Sequence, residues 1–281
     1  MLAQLEDAPE QRRKAMYLRG VTTTFACHDD PRFSFCLYVP EDHDAHETSN
    51  LLVSVHGSGR LQHLSRERFV EFGRYTNTVV LAPLFPVGVL GDGNGDGYKY
   101  IQEGDIRYDL VLLSMVAQAE RMLERTFERF MMFGFSGGAH FTHRFLYLHP
   151  ERLAAVSIAA PGAVTLPDEE AEWWTGVGDM AERFGKTFNP AAMRGVAAQL
   201  MVGAADRETW EIHPAPAAVA SGLTRVDRLR TLDAALRGLG METRHEEVPG
   251  VAHNMSGLAP YAVSFFRQVL AAQNAKDECN G

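Results

Sequence analysis

One short motif, residues 134–138 with the sequence Gly-Phe-Ser-Gly-Gly, constrains this chain more than any other feature. It fits the pattern Gly-x-Ser-x-Gly and lies between an apolar run typical of a strand, residues 130–135, and a run of helical periodicity, residues 140–148. Glycine on both sides of the serine lets a strand and a helix meet at a sharp turn. We therefore predict a nucleophilic serine at Ser136; the alternative is a serine that only caps the helix.

A serine hydroxyl is a weak nucleophile at neutral pH and needs a base that is itself held by a carboxylate. Two later strand ends supply these residue types: Asp206 follows the apolar run 199–203, and His253 follows the run 242–248. We predict Ser136 as nucleophile, His253 as general base and Asp206 as the acid that orients the base, in the chain order Ser, Asp, His. The alternatives are an Asp206 that caps the next helix and a His253 that is an ordinary loop histidine.

An oxyanion formed at Ser136 needs two backbone N–H donors held in place beforehand. Gly137 supplies one of them, as the residue after the nucleophile. The second donor is expected from the turn His-Gly-Ser-Gly at residues 56–59, which ends an early apolar strand. Ser58 is the first candidate in that turn and Gly59 the second, while the alternative is a turn that only ends the strand.

Short apolar runs alternate with longer amphipathic runs along the chain, which predicts a single α/β domain, residues 1–281, with a mostly parallel sheet flanked by helices. The first two runs are separated by turn residues at 29–31 and predict an antiparallel hairpin at one edge. Strands are predicted over residues 21–26, 33–39, 51–55, 79–83, 130–135, 153–159, 199–203 and 242–248, and helices over 65–75, 109–125, 140–148, 225–239 and 260–272. In the helix 109–125, the periodicity selects as core positions Leu110, Leu113, Val116, Ala117 and Met122.

The alternation is interrupted over residues 164–195, a stretch longer than an ordinary connection, and we predict a cap or lid there. Trp173 and Trp174 in this segment are expected either to wall a substrate pocket or simply to pack the cap against the core. Tyr98 and Tyr100 belong to a glycine-rich loop that should lie at the same edge of the sheet as the other candidates. They are further candidates for the pocket wall, with packing as the alternative.

The same glycine-rich loop contains a candidate cation site. Asp92, Asn94, Asp96 and Glu103 match ligand positions of an EF-hand calcium loop. The flanking segments do not have the pattern of paired helices, and Lys99 stands where such a loop usually carries an apolar residue. We therefore predict no metal and keep a calcium loop as the alternative.

Composition narrows the class of partner. The net charge is −9 and the cations are scattered, which disfavours nucleic acid and anionic membranes and favours a small uncharged substrate. No apolar run approaches the length of about 20 residues that membrane spanning needs. Residues 1–7 lack the basic start and apolar stretch of a secretory signal, and the odd cysteine count, Cys27, Cys36 and Cys279, predicts no disulfide framework. We expect a cytoplasmic protein and leave a homo-oligomer open.

The sequence resembles α/β hydrolases close to the bacterial esterases that are similar to polyhydroxybutyrate depolymerases and feruloyl esterases. The resemblance rests on His-Gly-Ser at 56–58, Gly-Phe-Ser-Gly-Gly at 134–138, Val-Gly-Ala-Ala-Asp at 202–206 and Gly-Val-Ala-His at 250–253, and it covers residues 51–270. It implies an eight-stranded sheet whose first two strands are antiparallel, a Ser-Asp-His triad, and hydrolysis of a carboxylic ester without a cofactor. We predict a small or medium-sized ester as the substrate.

Two other functions stay open at this point. The same triad would serve an amide, peptide or thioester, because the fold does not determine the substrate. A catalytically silent binding protein with this fold is the second alternative, although all three triad residue types are present in the expected order.

Overall fold

The computed structural model describes residues 16–210 and 212–280, which form a central sheet with helices packed against it. The strands are β1 (Gly20–Ala26), β2 (Ser34–Val39), β3 (Asn50–Val55), β4 (Thr78–Leu84), β5 (Gln102–Glu103), β6 (Ile106–Arg107), β7 (Phe130–Phe135), β8 (Leu153–Ala159), β9 (Ala197–Gly203) and β10 (Thr243–Val248). The α-helices are α1 (Gln62–Glu67), α2 (Val70–Thr76), α3 (Tyr108–Leu123), α4 (Gly137–Leu148), α5 (Met180–Phe184), α6 (Pro190–Met193), α7 (Pro216–Ala220), α8 (Arg225–Gly238) and α9 (Met255–Asn280).

The main sheet has eight strands in the order β1-β2-β4-β3-β7-β8-β9-β10. Strand β2 runs antiparallel to both of its neighbours. The remaining neighbouring pairs of this sheet, β4-β3, β3-β7, β7-β8, β8-β9 and β9-β10, are parallel. The short strands β5 and β6 pair with each other outside this sheet. The predicted mostly parallel sheet, its eight strands and its antiparallel opening pair are confirmed.

The central strands are covered on both faces, and their sequences show it. All residues of β3 after the first are buried, as are all residues of β4 before the last. A strand buried on both faces gives a continuous apolar run rather than an alternating one. The parallel strands bring the residues that follow β3, β7, β9 and β10 to the same edge of the sheet, which is where ligands bind in sheets of this kind.

The predicted core face of α3 is largely wrong: of its five positions only Val116 is fully buried, while Leu113, Ala117 and Met122 are half-buried and Leu110 is exposed. Leu110 is 50% exposed, whereas Asp109 beside it is fully buried. The carboxylate of Asp109 accepts hydrogen bonds from Arg107 at 2.6 Å and from His149 at 2.8 Å, so a charged side chain occupies a core position. An apolar periodicity cannot identify such a position, because a buried charge is retained only where its partners are supplied from elsewhere.

The final helix begins earlier than the sequence indicates. The sequence predicts this helix over residues 260–272, but α9 begins at Met255 and contains Pro260. The side chain of Asn254 accepts the N–H groups of Ser256 at 2.8 Å and Gly257 at 3.3 Å, and so caps the helix ahead of the proline.

Residues 1–7, on which the signal-peptide prediction rests, lie outside the described residues. The described helices include none that is both long and apolar enough to cross a membrane. Cys27 and Cys36 are buried free thiols. Residues 164–195 connect β8 to β9 and contain the short helices α5 and α6.

Candidate active site

Ser136 stands at the junction between β7 and α4, with φ of 55° and ψ of −116°. A positive φ is uncommon for a residue other than glycine and stores backbone strain. The glycines around it are required by close contact. A Cβ at Gly134 would lie 2.2 Å from the carbonyl oxygen of Gly138, and a Cβ at Gly138 would lie 2.3 Å from that of Val55. The motif therefore folds into the sharp strand-to-helix turn that the sequence predicts.

Asp206 and His253 meet after the ends of β9 and β10. The ring Nδ1 of His253 lies 2.7 Å from Oδ2 of Asp206, and the Asp206 side chain has no exposed surface. The ring of His253 also stacks on Phe135, with 4.6 Å between centroids and 29° between planes. When Nδ1 donates to the carboxylate, Nε2 is the unprotonated nitrogen and is free to accept a proton.

Arg225, the first residue of α8, binds the other oxygen of the same carboxylate. Its Nη1 lies 2.9 Å from Oδ1 of Asp206, and its own side chain is 3% exposed. Burial alone would raise the pKa of Asp206, but the hydrogen bond with His253 and the charges of His253 and Arg225 lower it below its usual range. Asp206 is therefore an ionised carboxylate at neutral pH, fixed by one partner on each oxygen.

Ser136 and His253 line one cavity of about 480 Å³, which we call the apolar cavity because its wall includes Leu61, Leu64, Phe135 and Met255. Within the described residues, the structure records no hydrogen bond between the Ser136 hydroxyl and the His253 ring. Hydrogen bonds of this kind often tighten only when a substrate binds. The geometry thus joins the histidine to the carboxylate directly and brings the serine to the same cavity.

The three predicted N–H donors lie beside Ser136. Gly137 is the first residue of α4, so its N–H has no partner within the helix. Ser58 and Gly59 follow β3 and line the apolar cavity with Ser136. The Ser58 hydroxyl lies 3.0 Å from the point where a Cβ of Gly137 would be, so the turn after β3 and the start of α4 are in contact.

His56 fixes the turn that carries Ser58. Its Nε2 accepts the N–H of Phe85 at 3.0 Å, and its Nδ1 donates to the carbonyl oxygen of Gly57 at 2.8 Å. Burial lowers the pKa of His56 to about 4, so the ring is neutral at physiological pH. This histidine acts on the structure of the turn rather than as an acid or base.

Three buried histidines, His56, His140 and His143, predict a loss of stability in mild acid. Burial lowers the pKa of each below the ordinary value of 6.5. Below pH 6.5 the unfolded chain then binds protons that the folded chain does not, so stability that is present above pH 6.5 is lost as the pH falls. We expect urea titrations to show the free energy of unfolding falling by roughly 1 kcal/mol per pH unit for each histidine.

A matched pair of variants separates the histidines from the acidic groups, which also titrate in this range. Nε2 of His143 accepts the N–H of Thr165 at 3.0 Å. His143→Gln keeps an acceptor but no titrating group, and it should reduce the pH dependence of the free energy of unfolding. His63→Gln changes an exposed histidine and should leave this pH dependence unaltered. If the free energy of unfolding changes with pH at the same rate in both variants and in wild type, the assignment of this pH dependence to the buried histidines is contradicted.

The four aromatic candidates for the pocket wall are placed differently from one another. Trp173 donates from its indole nitrogen to the carbonyl oxygen of Tyr100 at 2.9 Å and packs on Phe184. Trp174 packs on Tyr100, with 5.4 Å between ring centroids. Neither tryptophan lines the cavities that contain Ser136 in the described part of the chain. Tyr98 is 1% exposed, with its hydroxyl beside Gly137.

Tyr100 lines a second cavity, of about 360 Å³, which also contains Ser136. We define the second cavity by the residues Ser58, Asp96, Lys99, Tyr100, Ser136, Gly137, His140, Gly162, Trp210, Ile212, His213, Pro214 and Arg225. Trp210, which is 75% exposed, belongs to the segment between β9 and α8. The outer wall of the second cavity therefore comes from this segment and from the glycine-rich loop of Tyr100, and residues 164–195 do not line it.

The candidate calcium ligands satisfy one another instead of converging. The amide of Asn94 donates to Oε1 of Glu103 at 2.7 Å, and the hydroxyl of Tyr108 donates to Oε2 at 2.5 Å. Asp96 binds Lys99, and the carboxylate of Asp92 accepts the N–H of Asn94 at 2.9 Å. Among the described residues, no group of three or more His, Cys, Asp or Glu side chains is placed to hold a metal ion.

Two residues at the site, Arg225 and Trp210, were not predicted from the sequence. One signal could have identified Arg225: it follows the capping residue Thr224 at the start of a helix, where a positive charge opposes the helix dipole. A cation at that position indicates a nearby carboxylate. Nothing in the local sequence distinguishes Trp210 from an ordinary exposed residue.

Comparisons with known proteins give structural matches alone: no protein-family model and no curated protein matches the chain. The structure is similar to poly(aspartic acid) hydrolase-1 from Sphingomonas sp. KT-1, with a TM-score of 0.74 and 20% identity over 88% of this chain and 98% of that one. It is similar to the poly(3-hydroxybutyrate) depolymerase of Bordetella parapertussis, with a TM-score of 0.73 and 22% identity over 94% and 95%.

A third match extends the range of activities among these neighbours. It is an S-formylglutathione hydrolase from Agrobacterium tumefaciens, with a TM-score of 0.62 and 16% identity over 90% of this chain and 99% of that one. These similarities and the sheet order show that the chain has the α/β-hydrolase fold, as the sequence resemblance implies.

Proposed function

We propose that this chain is a serine hydrolase that cleaves a carboxylic ester of a small or medium-sized substrate through an acyl-enzyme. One observation carries the proposal. Ser136 lies at a strained strand-to-helix turn and shares a cavity with His253, whose ring is bound to the buried carboxylate of Asp206. Catalysis by a serine nucleophile requires a base that is held in this way.

The first half of the reaction forms the acyl-enzyme. Nε2 of His253 takes the proton of the Ser136 hydroxyl while its oxygen attacks the carbonyl carbon of the ester. The backbone N–H groups of Gly137 and Ser58 stabilise the negative charge on the carbonyl oxygen, with Gly59 as the second candidate in that turn. His253 then donates its proton to the leaving alcohol as the carbon–oxygen bond breaks.

The second half releases the acid. His253 takes a proton from a water molecule, whose oxygen attacks the acyl carbon on Ser136. The intermediate collapses, the bond to the serine oxygen breaks, and the proton on His253 returns to that oxygen. Asp206 stays ionised throughout and stabilises the imidazolium ring that forms in each half.

The apolar cavity supports a substrate with an apolar part of modest size. Its volume of about 480 Å³ and its aliphatic wall suit a short acyl or alcohol chain. The structural neighbour named as a poly(3-hydroxybutyrate) depolymerase supports an ester as the bond that is cleaved.

Two measurements test the proposal together. Hydrolysis of p-nitrophenyl esters from acetate to laurate reports ester cleavage, and the preferred chain length measures the apolar cavity. Labelling by a fluorophosphonate reports an activated serine whether or not these esters are substrates. We expect wild type to be active and labelled, and Ser136→Ala to be neither, with an unchanged far-UV circular dichroism spectrum.

The other functions give different results. Labelling of Ser136 without hydrolysis of any ester would contradict ester specificity and favour an amide, peptide or thioester substrate. A folded protein that is neither labelled nor active would favour the silent binding protein. Labelling that persists in Ser136→Ala would contradict the choice of nucleophile.

A further inference from the structure

The two cavities that meet at Ser136 have different chemical walls. The apolar cavity has four large apolar side chains in its wall, whereas the second cavity carries Lys99, His140 and His213 together with one carboxylate, that of Asp96. Arg225 lines both of them. A substrate bound across Ser136 therefore meets an apolar environment on one side and a basic, hydrogen-bonding environment on the other.

Two buried arginines lie directly behind the wall of the second cavity. Arg144, which is fully buried, donates to the carbonyl oxygen of Lys99 at 2.5 Å, and its guanidinium lies 4.7 Å from the ring centroid of Tyr100. Arg228, which is 1% exposed, donates to the carbonyl oxygens of His213 at 2.9 Å and of Gly162. Lys99, Tyr100, His213 and Gly162 all line the cavity.

Neither arginine has a carboxylate partner within salt-bridge distance among the described residues. Their recorded acceptors are backbone carbonyl oxygens and, for Arg144, the hydroxyl of Thr165 at 2.8 Å. Burial lowers the pKa of Arg144 to about 10, so it is still charged at neutral pH. Burying a positive charge among neutral groups alone costs free energy. Such a charge also creates a positive field in the space beside it.

The ring of His140 packs against the backbone of the same wall. Its Nε2 accepts the N–H groups of Gly162 and Ala163, at 2.8 and 3.0 Å, so this nitrogen carries no proton. The proton of the neutral ring is therefore on Nδ1. That nitrogen is buried and has no hydrogen-bond partner in the described residues, although His140 is only 7% exposed. Because this nitrogen has no exposed surface, it does not reach the cavity, and His140 contributes a neutral ring to the wall.

We propose that the second cavity binds a carboxylate group of the substrate, beside the carbonyl that Ser136 attacks. This inference rests on the proposed function and makes it more specific: the substrate is an ester with an apolar part and a carboxylate-bearing part. Arg144 and Arg228 supply the field, and the ammonium group of Lys99 supplies a donor at the wall. From the sequence we expect an uncharged substrate. That expectation was based on the net charge of the whole chain, and the net charge does not report the local charge at one cavity.

The field also acts on the titratable groups of the wall. Burial is the first cause that lowers the pKa of His140, and the charges of Arg144 and Lys99 follow it. For His213 the same order holds, with burial first and the charge of Arg228 second. Both rings are therefore neutral at physiological pH and add no charge to the wall.

The test compares esters that differ by one charge. On the acyl side, the half ester p-nitrophenyl glutarate is compared with its neutral methyl ester. On the alcohol side, O-acetyl glycolate is compared with O-acetyl glycolamide. In wild type we expect kcat/KM to be higher by about tenfold for the charged member of at least one pair, since a hydrogen bond to a charged group is worth that much. The preference should shrink at high ionic strength.

Variants of the paired residues Lys99 and Asp96 sharpen this test without altering the buried arginines. Nζ of Lys99 lies 2.5 Å from Oδ1 of Asp96, whose side chain is 57% exposed. Asp96→Asn removes the competing carboxylate and should raise the ratio of charged to neutral kcat/KM, whereas Lys99→Gln should lower it. Lys186→Gln removes an exposed lysine that pairs with Glu151, and it is the matched control that should leave the ratio unchanged.

The outcomes separate this inference from the function beneath it. A ratio at or below one in both wild-type pairs, with Ser136-dependent hydrolysis of the neutral esters, would overturn the carboxylate site and leave the serine hydrolase intact. A lowered ratio in Asp96→Asn would also overturn it. Failure to hydrolyse any of the four esters would contradict the proposed function, and the inference would fall with it.

Discussion

Replacing Ser136 with alanine is expected to lower kcat for ester hydrolysis on the order of 10⁵- to 10⁶-fold while the fold is retained. The hydroxyl oxygen is the atom that forms the acyl-enzyme, and its loss leaves only transition-state stabilisation by the backbone N–H groups. Alanine accepts the same positive φ at the same cost, so the turn between β7 and α4 should persist. The measurement is steady-state hydrolysis of the best p-nitrophenyl ester.

Ser58→Ala is the matched control, because Ser58 is a second serine in the same cavity wall. The proposal assigns its backbone N–H to the oxyanion and gives its hydroxyl no chemical step. Its kcat should therefore fall by about tenfold or less. A loss for Ser58→Ala as large as that for Ser136→Ala would contradict this division of roles, and so would a Ser136→Ala enzyme with near-normal kcat.

Ser136→Gly supplies a second control on the backbone. Glycine adopts a φ of 55° without strain, so this variant should be more stable than Ser136→Ala by about 1 kcal/mol and equally inactive. Urea unfolding of the two variants measures the difference. Equal stability would show that the turn is not strained, whatever the kinetics.

The sequence was sufficient for those parts of the fold that depend on local patterns. Continuous apolar runs identified the central strands, and the turn residues before the second strand identified the antiparallel edge. Ser136, Asp206 and His253 could be chosen because each follows a strand of a parallel sheet, and the geometry of such a sheet brings those ends together. The contact between Asp206 and His253, 2.7 Å between ring nitrogen and carboxylate oxygen, is of the kind that this reasoning anticipates.

The sequence was insufficient wherever a distant residue decides the outcome. Asp109 is buried in place of Leu110 because His149 and Arg107 bind it, and no pattern within α3 reveals those partners. The same reason hides Arg225, whose carboxylate partner is 19 residues earlier in the chain. Trp173 was a reasonable candidate for the pocket wall, but its indole binds the backbone at Tyr100.

Replacing Asp206 with asparagine is expected to lower kcat by on the order of 10⁴-fold, the second-largest effect. The carboxylate accepts the Nδ1 proton of His253, which leaves Nε2 unprotonated towards Ser136. Arg225 donates to the other oxygen, so in Asp206→Asn the side-chain oxygen is drawn to the guanidinium and the amide N–H faces Nδ1. The ring then carries its proton on Nε2 and cannot take one from the serine.

Arg225→Met separates the two halves of this arrangement. It removes one partner of the carboxylate but leaves the acceptor for Nδ1, so kcat should fall by roughly ten- to a hundredfold, much less than in Asp206→Asn. In the double variant, the amide introduced by Asp206→Asn has no guanidinium to bind and can turn its oxygen towards Nδ1. The double variant should therefore recover part of the activity that Asp206→Asn loses. If the fold-loss of kcat in the double variant equals the product of the fold-losses in the two single variants, this explanation is contradicted. Such a result would mean that Arg225 does not determine how the amide is oriented.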